Sequence, residues 1–137
     1  MVEVTPAGAR PATHGSPEHF TGTVVLTPIV SAPAPATVQS VLVRFAPGAR
    51  TFWHTHPLGQ TLHVVEGVGR VQERGGPLRE IRAGDSVWIA PGVEHWHGSA
   101  PEHPMTHVAF QERLDGVGVA WRDESVTETA YTATPER

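Results

Sequence analysis

The chain has 137 residues with no Cys, no Lys and no Asn, and against those absences it carries 9 His, 14 Gly and 13 Pro. Without thiols there is no disulfide framework, Cys-type metal site or thiolate nucleophile, and without Lys there is no Schiff base. Ten Arg against 14 carboxylates leave a net charge of −4, which gives no basis for a nucleic-acid or anionic-membrane surface. The excess of imidazole, the commonest protein metal ligand and the side chain that titrates nearest neutral pH, points instead to metal or acid–base chemistry.

The length suits one domain with a core of its own. Residues 1–19 mix Pro, Gly, Ala, Thr and Ser without a period and read as an N-terminal arm. That arm shows no basic stretch followed by an apolar one, and no apolar run is long enough for a membrane helix, so a cytoplasmic protein is the expectation. Residues 20–137 read as the single folded domain with a C-terminal tail. Short β-rich runs are expected at Thr21–Val30, Val38–Phe45, Gln60–Glu66, Gly69–Glu73, Ser86–Ala90 and Met105–Gln111, separated by breakers such as Ala46-Pro-Gly, Gly75-Gly-Pro and Ala90-Pro-Gly. No stretch is long enough for a crossover helix, so an all-β antiparallel sandwich or barrel follows. The one helix expected is a turn from Glu128 to Tyr131, capped by Thr127.

The chemistry concentrates in two segments. In the first, Gly48 to Gly67, His54 and His56 are two apart on an extended strand and share a face, and Gln60 rejoins that face once Pro57-Leu-Gly reverses the chain. In the second, Gly84 to His97, a turn feeds another His-x-His pair, His95 and His97. Brought together across a barrel, the two segments place three or four imidazoles around one point, a suitable set of ligands for a divalent first-row metal. His107, Ala109 and Gln111 share a face of the last long strand. If that face is the interior, His107 is the candidate general base, with His97 the alternative, and Gln111 is a hydrogen-bonding partner for substrate. Thr51 offers a hydroxyl to a substrate oxygen. Apolar walls are expected from Val41, Val43, Phe45, Leu62 and Val64. His63 is read as lying outside the barrel, and His14, His19 and His103 as solvated loop residues.

These segments resemble the two motifs of the cupin superfamily. Gly48, His54, His56 and Gly67 match every fixed spacing of the first motif, G-x5-H-x-H-x3,4-E-x6-G, with Gln60 where Glu is usual. Gly84, Pro91 and His95 fit the second more loosely, with Gly92 directly after Pro91 and Ser99 where Asn is expected. The resemblance implies a double-stranded β-helix, or jelly-roll barrel, with at most a short C-terminal helix. It carries the metal ligands onto His54, His56, Gln60 and His95. The strings from His54 to Leu62, His95 to Gly98 and Gln111 to Gly116, with Phe20-Thr-Gly-Thr-Val, are similar to the bacterial manganese-dependent cupin hydroxynitrile lyases. That likeness implies Mn2+, with Fe2+, Zn2+ or Ni2+ as alternatives. It also implies a lyase that interconverts a cyanohydrin with an aldehyde and hydrogen cyanide, and a homodimer or homotetramer. Other metal-cupin enzymes (oxygenase, isomerase, cyclase) and a non-catalytic small-molecule-binding barrel are the alternative readings. Three neutral imidazoles and a neutral amide leave the charge of a dipositive ion uncompensated, which tilts the expectation towards Lewis-acid rather than redox chemistry.

Overall fold

The computed structural model describes residues 1–137. Alternating apolar and polar residues are what make the long strands. In β4 (Val38–Phe45) Val43 and Phe45 are buried while Arg44 is exposed, and in β11 (Met105–Glu112) Met105, His107 and Ala109 face inward. With β1 (Thr13–His14), β3 (Val24–Ser31), β9 (Ser86–Ile89) and the first half of β7 (Gln60–Glu73), these strands form one antiparallel sheet, with β11 between β4 and β7. Thr13 and His14 pair with Leu26 and Val25, so the N-terminal segment is tied to its own domain. The opposing sheet combines the second half of β7 with β8 (Arg79–Arg82) and β10 (His95–Ser99). The short strands β2 (Phe20–Thr21), β5 (Arg50–Thr51), β6 (His54–Thr55) and β12 (Ala120–Trp121) complete it.

The spacing of the sequence predicts two strands at Gln60–Glu66 and Gly69–Glu73, and the structure merges them into one 14-residue strand that serves both sheets. The change of sheet occurs at Gly67, whose φ is +84° and whose missing side chain leaves room for Pro104 O, only 2.0 Å from where a Cβ would stand. A non-glycine residue would meet both the left-handed strain and the clash.

Between the sheets lie Val24, Val43, Phe45, Ala49, Val64, Val71, Ile81 and Met105. Leu62, Ile89 and Ala109 form a smaller group on the same side. A separate cluster of Trp53, Leu78, Trp96, Val126 and Tyr131 is closed by helix α1 (Glu128–Thr132), for which Thr127 Oγ1 accepts from Ala130 N as the expected cap. Tyr131 fastens that helix. Its ring lies under the guanidinium groups of Arg50 and Arg70, at 4.2 and 5.4 Å, and its hydroxyl donates to Ser99 O at 2.7 Å. No helix is long and apolar enough to cross a membrane.

Candidate metal centre and active site

His54 stands in β6 directly opposite His95 in β10, and on its other side opposite Trp121 in β12. Two residues on, His56 enters the turn that Gly59 reverses. That glycine has φ +81°, and a Cβ there would come within 2.7 Å of Ile89 O. Gln60 then opens β7, in register with Gln111 of β11 and Ile89 of β9. The imidazoles predicted to converge do so. Ring centroids are 4.2 Å apart for His54 and His95, 5.1 Å for His54 and His56, 5.4 Å for His56 and His95, and 5.3 Å for His54 and His97. Ring nitrogens of His54, His95 and His97 lie within 4.8 Å of one another. All of these rings are buried.

The hydrogen bonds divide the histidines into two kinds. Nδ1 of His54, His56 and His95 lies 2.8, 2.7 and 3.0 Å from the carbonyl oxygens of Phe52, Gly118 and Val93. A carbonyl only accepts, so each Nδ1 carries the proton and each Nε2 keeps a lone pair. Gln60 Nε2 donates to Gln111 Oε1 at 3.1 Å, which leaves Gln60 Oε1 3.4 Å from His95 Nε2. Two lone-pair atoms then face each other with no proton between them, and His56 Nε2 is buried without a partner. A cation between His95 Nε2 and Gln60 Oε1 would satisfy both, close to the ring nitrogens of His54 and His97 that lie within 4.8 Å of those of His95, and backbone carbonyls holding the far nitrogen are the usual way in which a protein orients metal-binding imidazoles. The donor set therefore fits a divalent metal.

His97 and His107 differ. His107 Nε2 and His97 Nδ1 are bonded to each other at 3.0 Å, and the outer nitrogens, His97 Nε2 and His107 Nδ1, have no partner. Burial drives the pKa of every one of these imidazoles down. His107 and His95 are pushed to about 4, His54 falls well below its usual value through burial and the neighbouring His95 and His56, and His97 does so through burial and His107. His56 is lowered chiefly by burial. All five are neutral at neutral pH.

A cavity of about 150 Å³ opens on this cluster, bordered by Thr51, His54, His56, Gln60, His97, His107 and Gln111. Thr51 Oγ1 accepts from His97 N at 3.2 Å, so its own proton is what remains for a ligand. Val41, Val43 and Phe45 line the cavity as expected. Leu62 and Val64 do not: they are fully buried in the core groups, and Phe20, Leu26, Val119 and Trp121 take their place. His19, read from the sequence as solvated, stacks on Trp121 at 4.3 Å and 5°. His63 bonds Ser86 Oγ at 3.0 Å on the outer face, and His14 and His103 are exposed. Trp121 and Gly118 escape sequence reading because they lie in a Gly- and Val-rich tail with no strand-length alternation. Only the lone aromatic at 121 hinted at burial.

A cupin domain profile matches residues 41–110. The chain is 52% identical over 130 residues to an (R)-mandelonitrile lyase of Granulicella tundricola, covering 95% of this chain and 98% of that one. Its fold is similar to the crystal structure of a cupin-like protein from Thermotoga maritima, with a TM-score of 0.83 and 40% identity over 93% of this chain and 95% of the other. It is also similar to a cupin-2 domain of Rhodospirillum rubrum at TM-score 0.71 and 10% identity, covering 95% and 84% of the two chains, a likeness of fold alone.

Proposed function

The chain belongs to the cupin family, and from that premise we propose that it is a metal-dependent lyase of the hydroxynitrile lyase type, cleaving and forming cyanohydrins. The observation that carries the reading is the division of five buried imidazoles into three whose Nδ1 is turned onto a backbone carbonyl, leaving the Nε2 lone pair free, with that of His95 beside Gln60 Oε1, and two that are bonded to each other. His54, His56, His95 and Gln60 would hold the ion, which we assign as Mn2+, with Fe2+, Zn2+ and Ni2+ as alternatives. When bound, it would supply Lewis acidity to an oxygen and steady the negative charge of cyanide.

The remaining steps fall to the chain's own groups. The His97–His107 pair is neutral because burial holds both imidazoles below their usual pKa, so it can take the hydroxyl proton of the cyanohydrin. As that proton leaves, the O–H electron pair becomes the second bond of the aldehyde carbonyl, and the carbon–carbon pair departs with cyanide. The imidazolium returns its proton to cyanide, giving hydrogen cyanide and restoring the neutral pair. Thr51 and the amide nitrogen of Gln111 orient the substrate oxygen and the nitrile. Apolar side chains exclude water that would compete for the proton. The active species is read as a homodimer or homotetramer, a reading supported by exposed Trp88 and Phe110 on one outer sheet face.

The test is hydrogen cyanide release from mandelonitrile by protein loaded in turn with each ion, with metal content measured by mass spectrometry. Release that needs about one ion per chain, and falls at least 100-fold in His107→Ala or His97→Ala while the metal is retained, is expected. A metal-replete protein inert towards cyanohydrins overturns the assignment.

A further inference from the structure

The cavity is lined by both kinds of side chain, with Phe20, Leu26, Val119 and Trp121 bordering it alongside the imidazoles, Thr51 and the Gln60–Gln111 pair. Phe20 pairs with Thr51 and Trp121 with His54, so apolar and polar groups adjoin: Phe20 comes from the N-terminal side, while Val119 and Trp121 come from the segment that follows β11. Trp121 is half-buried, leans on the His54 ring at 4.6 Å, meets Phe20 edge-on at 5.5 Å, and has His19 stacked at 4.3 Å.

The segment is fixed at both ends. Gly118 O takes the Nδ1 proton of His56 at 2.7 Å, and beyond Trp121 the backbone bonds Arg122 N to Trp53 O (2.9 Å) and Trp53 N to Glu124 O (3.1 Å) hold it to the second sheet. The indole is therefore a rigid wall and not a mobile cover. With an indole on its wall, a cavity of about 150 Å³ has the size for a flat ring of benzene dimensions.

Resting on the lyase reading above, we infer that Trp121, with its plane held by His19, is the specificity-determining residue that selects aryl over small alkyl cyanohydrins. Substrate oxygen and nitrile face Thr51, Gln111 and the imidazoles, and the aryl ring packs against the indole.

The experiment compares kcat/KM for mandelonitrile with that for 2-hydroxybutanenitrile in metal-loaded wild type, Trp121→Ala, Trp121→Phe and His19→Ala, with metal content measured for each. Binding of 4-fluorobenzaldehyde is followed in parallel by its fluorine resonance. The aryl-to-alkyl ratio is expected to fall at least tenfold in Trp121→Ala, chiefly through KM, to recover most of the way in Trp121→Phe, and to fall about threefold in His19→Ala. Aldehyde affinity should weaken in the same order. Should Trp121→Ala fail to fold, Trp121→Phe and His19→Ala decide the matter. A ratio and an aldehyde affinity within twofold of wild type in all folded variants overturns the inference while leaving the lyase reading intact. A wild type that turns over no cyanohydrin, yet binds the aldehyde in a Trp121-dependent way, sinks the lyase reading and supports the wall.

Discussion

Gln60 differs from a carboxylate at the same position by one unit of charge, and that unit decides how strongly a held cation polarises its substrate. Glu at position 60 would bind the ion more tightly but offset part of its charge. Gln60→Glu should therefore retain metal through longer dialysis against chelator while losing at least tenfold in kcat/KM for mandelonitrile. Equal activity in the two forms would mean that ligand charge is not limiting. The imidazoles set a second expectation. His95 and His107 titrate at about 4 in the fold against 6.5 when exposed, so below pH 6.5 the unfolded chain takes up protons that the folded chain refuses. Stability is thus fully present above pH 6.5 and drains as pH falls towards 4, by about 1 kcal/mol per pH unit for each such histidine. Chemical denaturation midpoints of the metal-free protein at pH 7.5, 6, 5 and 4.5 should fall steadily across that window, whereas a flat profile would contradict the burial of neutral imidazoles. The pairs His54/His56 and His95/His97 were legible in the sequence because His-x-His spacing on an extended chain gives a shared face, and His107 because β11 alternates. The bonding of His97 to His107 was not, since it depends on the register of β10 and β11 in different sheets.

At the level of elements, β10 brings His95 and His97 to the site by lying almost against β5. The approach depends on Gly98, where a Cβ would stand 2.4 Å from Ala49 O and 2.6 Å from Arg50 Cα. Both obstacles are close to backbone and cannot swing aside. Gly98→Ala should cost about 1–3 kcal/mol through forced separation of the strands, and should weaken metal binding because His95 and His97 move with β10. Thermal unfolding together with a metal titration checks both effects, and an unchanged melting temperature would show that the strands tolerate separation. The sequence marked β4, β9 and β11 well because each alternates cleanly over four or more residues. It placed His54 on a strand, as β6 has it, but passed over β5, β10 and β12, which are two to five residues long and are made by pairing with neighbours rather than by local preference. It divided β7 at Gly67 because a glycine ends a strand as often as it bends one, and only the approach of Pro104 shows which applies here.

Across the whole molecule, the pleat that aims Gln60, Ala109 and Gln111 inward aims their neighbours outward in equal register. Trp88, Thr61, Phe110 and Ser40 form one row across β9, β7, β11 and β4, and Val30 of β3 extends it. Trp88 is 64% exposed and Phe110 42%, on a face where the adjoining rows add Leu42 and Val108. Two large aromatics set apart by one threonine on an otherwise regular sheet resemble the centre of an interface more than a solvated surface. Because the row runs straight across the sheet, a second copy turned by a two-fold axis can lay its own row over it, so each aromatic meets apolar surface. From this we expect Phe110→Arg, and more strongly Trp88→Arg with Phe110→Arg, to lower the mass measured by light scattering towards the 14.7 kDa of a single chain. Neither residue touches the cavity, so cyanohydrin cleavage per loaded metal site should survive in the monomer. A wild type already at 14.7 kDa, or a double variant with unaltered mass, would place the contact elsewhere or remove it.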